Sequence, residues 1–195
     1  MIRLYLSYPI HANKPIALTE EQYHYLHHVM RLSSFDKILC FNGSDGEWEA
    51  ILTECGKKKW NAIPQKHTRK QNKAPFCALC PALIKKDNFD LVLQKATELN
   101  VSDIYPLKLE RCVIPTLNMK RAESILIEAA EQSERLSLPH LHPVMSLSDF
   151  LKNLPKDSDL YCLYERAPDA SVKTIGKKPL FVVGPEGGFT AEELN

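Results

Sequence analysis

The amino-acid sequence predicts an α/β protein with two domains, a small β-barrel followed by a domain built on a mostly parallel sheet. Up to about residue 65, short alternating stretches separated by turn residues predict several strands and one helix, a pattern typical of small barrels. From residue 76 onward, strands and helices alternate, which favours a parallel sheet covered by helices on both faces. The segment 65–75 is polar and basic and ends in proline, so we place a domain boundary there. The predicted domains span residues 1–70 and 75–195.

The first domain is predicted to contain four strands and one helix. The helix begins at Thr19, because Thr19 and Gln22 have the spacing of a capping box and Tyr23, Leu26 and Met30 follow at helical intervals. A turn is expected at 42–46, where the sequence reads Asn-Gly-Ser-Asp-Gly. The predicted strands are 2–6, 37–41, 47–53 and 60–64.

The second domain is predicted to alternate strands with helices. Helix 87–99 is amphipathic, with Phe89, Val92, Ala96 and Leu99 on one face. Thr190 and Glu193 have capping-box spacing, so a further helix is expected to open there. The other predicted elements are strands 76–83, 103–107, 143–147, 159–164 and 180–183, helix 119–136, and a short helix capped by Ser148.

Composition excludes several classes of protein. The chain has 195 residues and a net charge of +1, and it has no apolar run long enough to cross a membrane. The N-terminus does not resemble a signal peptide, so a cytoplasmic protein is expected. Cys77 and Cys80 form a CxxC pair within an apolar stretch, but no second ligand pair at a matching spacing is evident. We therefore expect two small residues of a buried strand and no metal site.

Basic residues are concentrated in one segment. Residues 57–73 contain seven Lys and Arg and no Asp or Glu. This pattern is typical of a stripe that follows a phosphate backbone, and it is equally typical of a solvated hairpin and linker. The composition leaves both interpretations open.

A glycine-rich loop follows the last predicted strand. The sequence 181–190 reads Phe-Val-Val-Gly-Pro-Glu-Gly-Gly-Phe-Thr, an apolar strand that runs into a loop and then a helix start. In open α/β sheets, ligands bind outside the carboxyl ends of the strands, which is where this loop is expected to lie. The spacing is not that of a dinucleotide fingerprint, and a Gly-Gly pair after a strand is often only a turn.

The loop 184–190 and four further segments, 24–31, 95–101, 106–112 and 128–135, resemble in the same order the motifs of the RsmE family of 16S rRNA (uridine-N3) methyltransferases of the SPOUT class. The loop 184–190 is similar to the family's cofactor loop, and 24–31 is similar to its histidine-to-arginine helix. Asn100 stands where the family usually has glycine, a mild departure because Asn tolerates left-handed backbone angles.

The resemblance implies a fold and an activity. The fold is α/β, with an N-terminal small PUA-like β-barrel that binds RNA and a C-terminal SPOUT α/β-knot methyltransferase domain. The activity is S-adenosylmethionine-dependent methylation of the N3 atom of a uridine in 16S, small-subunit, ribosomal RNA. The expected partners are that RNA or the 30S subunit and a second copy of the chain in a homodimer, with no membrane and no metal.

The resemblance and the chemistry together suggest site residues. The N3 proton must leave before methyl transfer, and a guanidinium would stabilise the charge that then spreads to the flanking carbonyl oxygens. Arg111 and Arg135 are candidates for this role and Glu98 for the base, although Glu131 could instead pair with Arg135 on a helix surface. The candidate cofactor contacts are Val183, Gly184, Pro185, Glu186, Gly187 and Gly188.

Other basic residues are candidate RNA contacts. His24, His27 and His28 could form a further site, but their spacing is as well explained by a helix face packed against the barrel, which we favour. The candidate RNA contacts are Arg3, Arg31, Lys57, Lys58, Lys59, Arg69, Lys85 and Lys86.

The family resemblance also implies a C-terminal tail of several dozen residues after Asn195, with a second cofactor loop and the helix that closes the knot. On this expectation the knot tail is absent from the chain and the methyltransferase domain is incomplete. An alternative is therefore a truncated, catalytically inactive RNA-binding remnant of the family.

Overall fold

The computed structural model describes residues 1–165 and 174–194, and its backbone divides into two compact units. The first unit contains residues 1–73 together with 130–137, and the second contains residues 74–129 and 138–195. The sequence predicts a single domain boundary between residues 70 and 75, so the assignment of residues 130–137 to the first unit was not predicted. Among the described residues, no helix is both long and apolar enough to cross a membrane.

The first unit is built on a five-stranded sheet. Strand order is β1-β3-β4-β5-β2, with β1 parallel to β3 and the other pairs antiparallel. The predicted linker from residue 65 is in part strand, because β5 continues the β4–β5 hairpin to Arg69. The strands are β1 Arg3–Tyr5, β2 Ile16–Ala17, β3 Lys37–Phe41, β4 Glu47–Gly56 and β5 Lys59–Arg69.

The helix of the first unit begins where the sequence predicts. In α1, Glu20–His24, the Thr19 hydroxyl accepts from the Gln22 amide, and the Gln22 side chain accepts from the Thr19 amide. The helix then widens into a π-helical turn, Tyr25–Val29, closed by a 2.9 Å bond from the Met30 amide to the Tyr25 carbonyl. The core of the unit consists of Leu26 of this turn together with apolar residues of the strands and loops: Leu4, Leu6, Ile10, Ile16, Ile38, Cys40, Ala50, Leu52, Trp60 and Ala62.

The second unit is built on a five-stranded parallel sheet with strand order β11-β12-β6-β7-β9. Strands β8 and β10 form a separate two-stranded parallel sheet. The strands are β6 Ala78–Pro81, β7 Asp103–Ile104, β8 Leu107–Lys108, β9 His140–Leu141, β10 Met145–Ser146, β11 Asp159–Leu163 and β12 Pro179–Val183. The helices are α2 Lys86–Glu98, α3 Met119–Gln132, α4 Leu147–Lys152 and α5 Ala191–Leu194.

Both faces of the parallel sheet are covered. Ala78 and Cys80 of β6 pack in one apolar cluster with Phe150 of α4, whereas Cys77 and Leu79 pack in a second cluster that contains residues of α2 and α3. Successive strand residues point to opposite faces, so the two clusters lie on opposite sides of the sheet. Burial raises the pKa of the Cys80 thiol to about 12, which fits a core residue rather than a reactive thiol.

Some element bounds differ from the sequence prediction. Helix α3 ends at Gln132, so Arg135 lies beyond the helix instead of on its last turn. The short helix α4 is capped by Ser146 and not by Ser148, because the Ser146 hydroxyl accepts from the Asp149 amide. Asn100 has φ +65°, the left-handed conformation that its place after α2 predicts.

Candidate active site

A cleft lies at the carboxyl ends of the neighbouring parallel strands β11 and β12. Its volume is about 330 Å³, at the small end of the range typical of small-molecule sites, ~300–1,000 Å³. This is the edge of a parallel sheet at which ligands are expected. The described residues that line it are Arg111, Leu163, Tyr164, Glu165, Gly184, Pro185, Glu186, Gly187, Gly188 and Phe189.

The loop after β12 depends on glycine at two positions for different reasons. At Gly184, a Cβ atom would lie 2.8 Å from the Phe189 ring, which is itself buried, so a side chain would displace that ring. At Gly188, φ is +70° and a Cβ would meet no atom of the chain within 4 Å. Gly188 is therefore required for its backbone conformation, and any side chain there would extend into open space beside the cleft.

Arg111 ties this loop in place. Its Nη1 atom donates to the Gly187 carbonyl at 2.8 Å and to the Phe189 carbonyl at 3.2 Å. Glu193 of α5 accepts from the Thr190 amide and from the Glu110 amide, both at 2.9 Å. Hydrogen bonds on both sides of Gly188 thus attach the loop to the segment that carries Arg111. Arg111 itself lines the cleft.

Five of the six predicted cofactor contacts line the cleft, whereas Val183 does not. The Val183 carbonyl accepts from the Ala82 amide at 2.8 Å, so this residue belongs to the sheet. The Gly188 amide donates to the Pro185 carbonyl at 2.8 Å and therefore closes a turn within the loop.

Four lining residues were not among the predicted site residues: Leu163, Tyr164, Glu165 and Phe189. The sequence contained a signal for the first three, since they lie at or just after the end of the predicted strand 159–164, and parallel neighbours end at the same edge of a sheet.

The three catalytic candidates are not brought together. Glu98 is on the exposed surface of α2, where Lys95 donates to it at 2.8 Å, and hydrogen bonds from Lys95 and Gln94 lower the pKa of its carboxyl. A lowered pKa makes Glu98 a weaker base, and it does not line the cleft. Arg135 is buried in the first unit, and burial lowers the pKa of its guanidinium to about 10. Of the three, Arg111 alone lines the described cleft.

Two of the candidate RNA contacts pair with Glu47 inside the first unit, and the other six are exposed. Arg3 is 7% exposed, and its guanidinium donates to Glu47 and to carbonyls of 130–135, an interior position that does not suit a phosphate ligand. Arg69 is half-buried, and it donates to Glu47 through Nε at 3.0 Å and Nη2 at 2.7 Å. The exposed candidates are Arg31, Lys57, Lys58, Lys59, Lys85 and Lys86.

The three histidines do not pack as predicted. His24, His27 and His28 are all exposed, although the His27 ring contacts the edge of the buried Trp60 at a centroid distance of 5.3 Å. Within residues 1–165 and 174–194, no three His, Cys, Asp or Glu side chains converge on a common metal position.

Comparison with known proteins agrees with this geometry. Residues 69–195 match the RNA methyltransferase domain family, and residues 18–64 match the RNA methyltransferase PUA domain family. The ribosomal RNA small subunit methyltransferase E of Rickettsia conorii is 32% identical over 198 residues, which cover 98% of this chain and 81% of that protein. The corresponding protein of Bacillus subtilis is 28% identical over 91% of this chain and 76% of its own length.

Solved structures give the same result. The ribosomal RNA small subunit methyltransferase E of Neisseria gonorrhoeae, bound to S-adenosyl methionine, superposes with a TM-score of 0.87 at 27% identity, over all of this chain and 83% of its own. A putative methyltransferase of Legionella pneumophila with bound cofactor gives a TM-score of 0.86 at 26% identity, over 99% of this chain and 83% of its own. The predicted fold class, a PUA-like domain followed by a SPOUT methyltransferase domain, is confirmed. The chain belongs to the ribosomal RNA small subunit methyltransferase E family.

Proposed function

We propose that this chain transfers a methyl group from S-adenosylmethionine to the N3 atom of a uridine in small-subunit ribosomal RNA. The observation that carries the proposal is the cleft at the ends of β11 and β12, with its glycine loop fastened to Arg111, in a member of this family. The proposal needs both the geometry of the cleft and the family membership, because a fold by itself does not specify a reaction.

The residues at the cleft suit this cofactor. The loop 184–188 offers backbone groups and the Glu186 carboxylate, which is exposed and can accept hydrogen bonds from ribose hydroxyls. Leu163 and Phe189 supply apolar surface for a purine ring. When bound there, S-adenosylmethionine would supply an electrophilic methyl group.

Arg111 has a position from which it can act on the uridine. A guanidinium carries five N–H donors, and the two described bonds of Arg111 involve only Nη1. We infer that its other donors face the uridine carbonyl oxygens, on which negative charge develops once the N3 proton leaves. The same side chain would then both hold the cofactor loop and stabilise the reacting base.

The first test is calorimetric titration of S-adenosylmethionine into the 195-residue chain. We expect saturable one-to-one binding, followed by methyl transfer to ribosomal RNA. If the folded chain shows no binding at millimolar cofactor, the proposed activity is wrong for this chain and the RNA-binding alternative takes its place.

Replacing Arg111 with alanine tests the role of the loop tether. The change removes two hydrogen bonds to carbonyls of residues that line the cleft, and we expect about a tenfold loss of cofactor affinity. The rate of methyl transfer at saturating cofactor should fall as well, because the negative charge that develops on the uridine carbonyl oxygens loses the N–H donors of Arg111.

The control for this variant is Arg121→Ala. Arg121 pairs with Asp90 at 2.7 Å on the exposed surface of the same unit and does not line the cleft. It should leave both cofactor affinity and rate unchanged. If the two variants have equal cofactor affinity and equal methyl-transfer rates, Arg111 has no role in the active site.

We further propose that the partner is the ribosomal RNA or the 30S subunit, and that the enzyme acts in the cytoplasm as a homodimer. The support is the family membership together with the exposed lysines of 57–59. Analytical ultracentrifugation of the chain at micromolar concentration tests the dimer, and a sedimentation coefficient of a monomer throughout would contradict it.

A further inference from the structure

Three histidines form a cluster of rings on the surface of the first unit. The ring centroids of His24 and His28 are 5.0 Å apart, and those of His27 and His28 are 4.8 Å apart. Tyr23 stacks on His27 at 5.3 Å with an interplanar angle of 23°, and Trp60 lies beneath, 4% exposed. We call these five residues the histidine cluster. The partly buried Tyr23 ring and the buried Trp60 ring support histidines that are themselves exposed.

Local backbone geometry places the rings together. His24 ends α1 and the other two histidines occupy the π-helical turn Tyr25–Val29, a feature that is rare and often found at functional sites. The Nδ1 atom of His27 lies 3.2 Å from the Leu32 carbonyl. A neutral His27 therefore carries its proton on Nδ1 and presents Nε2 as an acceptor, whereas the protonated ring donates from both nitrogens.

Positive charge lies next to the cluster. Partial removal from water and the charges of His27, His24 and Lys58 lower the pKa of His28. Lys58 belongs to the turn between β4 and β5, and its two neighbours in sequence are also exposed lysines. The other charged residues on the elements that carry or adjoin the cluster are Glu20 and Glu21 of α1, Arg31 after the π-helical turn, Glu54 of β4, and Lys57 and Lys59 of the hairpin, with Glu47, Glu49, Lys66 and Arg69 further along β4 and β5.

We propose that the histidine cluster binds a single-stranded segment of RNA. The inference rests on the proposed ribosomal RNA substrate, and it adds a contact surface to that function. Proteins recognise single-stranded RNA by stacking unpaired bases on exposed ring faces and by placing cations along the phosphates. The cluster supplies exposed histidines whose rings contact the partly buried Tyr23 and the buried Trp60, and the lysines of 57–59 supply the cations beside them.

The same geometry predicts a dependence on pH. Nearby positive charges contribute to the lowered pKa of His28 in the free protein, and the phosphates of bound RNA would oppose that effect. The pKa of His28 is then higher in the complex than in the free protein, so RNA binding takes up a proton. Affinity should therefore rise as pH falls through the histidine range, around 6.5.

The test compares the wild type with the triple variant His24→Gln, His27→Gln and His28→Gln. Binding of a fluorescent, unstructured RNA of about 12 nucleotides is measured at pH 6 and pH 8, with a chelator present to remove metal ions. For the wild type we expect about tenfold tighter binding at pH 6 than at pH 8. The variant should bind about tenfold more weakly at pH 6 and lose most of the pH dependence.

Two controls separate this inference from the proposed function. His11→Gln replaces an exposed histidine outside the cluster and should behave as the wild type. Cofactor titration of each variant, together with an unfolding curve, shows that the second unit and the fold are intact. If the triple variant binds RNA as the wild type does at both pH values, the inference is wrong and the methyltransferase proposal stands. If the wild type binds cofactor but no RNA at either pH, the inference and the RNA part of the proposal both fall.

Discussion

Replacing Glu47 with alanine is expected to lower the free energy of unfolding of the first unit by about 3–5 kcal/mol. The Glu47 and Arg3 side chains are each 5% exposed, and Glu47 Oε2 accepts from Arg3 Nε at 2.9 Å. Removing the carboxylate leaves the Arg3 guanidinium charged and buried, which costs more than the intact ion pair contributes. Arg69 and Thr68 also donate to this carboxylate, so their hydrogen bonds are lost with it.

Tryptophan fluorescence during denaturation measures this effect directly. Both tryptophans of the chain, Trp48 and Trp60, belong to the first unit, so the signal reports the unfolding of that unit. Glu49→Ala is the matched control, because Glu49 pairs with Lys37, whose side chain is 54% exposed, and such pairs contribute only ~0–1 kcal/mol. Equal destabilisation by the two changes would contradict the role assigned to the buried pair.

The same carboxylate should make the first unit sensitive to acid. Burial by itself would raise the pKa of Glu47, but hydrogen bonds from Arg69, Arg3 and Thr68 outweigh it and hold the pKa below its ordinary value. The stabilisation is therefore fully present above the unfolded-state pKa, ~4.3, and is lost as pH falls through the lower pKa of the folded state. A Glu47→Gln variant should show a smaller loss of stability in that acid window.

Replacing Gly188 with valine is expected to reduce cofactor affinity by about a hundredfold or more. Gly188 has φ +70°, a conformation that costs a β-branched residue ~1–3 kcal/mol. A Cβ there meets no protein atom within 4 Å, so the valine methyl groups would extend into the space beside the cleft. The strain and the added volume both act at the loop that we propose holds the cofactor.

Calorimetry with S-adenosylmethionine measures the loss, and Gly43→Val provides the control. Gly43 has φ +84° but lies in the first unit, so its substitution imposes similar backbone strain away from the cleft. It should lower stability and leave cofactor affinity unchanged. Retained affinity in Gly188→Val would contradict the proposed site.

The sequence predicted the helix starts at Thr19 and Thr190 and the glycine loop, which depend on contacts between residues close together in the chain. The Thr19 and Thr190 capping boxes are both present, and the strand, loop and helix start around Gly188 lie where the pattern placed them. These features depend on contacts within a few residues, which sequence spacing records directly.

Features that depend on distant contacts were not predictable. Arg3 looks like a surface cation in a short strand, yet its partners are Glu47 and the carbonyls of Ala130 and Arg135, which are 44, 127 and 132 residues away. No local pattern encodes such a cluster. Likewise, His27 and His28 lie in the π-helical turn, which shifts residues from the positions that a regular helix would give them, so helical spacing did not predict their exposure.

The assignment of residues 130–137 to the first unit has a consequence for how the chain folds during synthesis. The guanidinium of Arg3 depends on carbonyls that emerge from the ribosome only after residues 74–129 have been made. At ~5–20 residues per second, the N-terminal unit waits for its last segment for a time on the order of seconds. During that interval the Nη1 and Nη2 donors of Arg3 lack these carbonyl acceptors, although Glu47 already accepts from Nε. The nascent unit therefore lacks part of the hydrogen bonding that stabilises the finished unit. A gene fragment that ends near residue 73 would make that interval permanent.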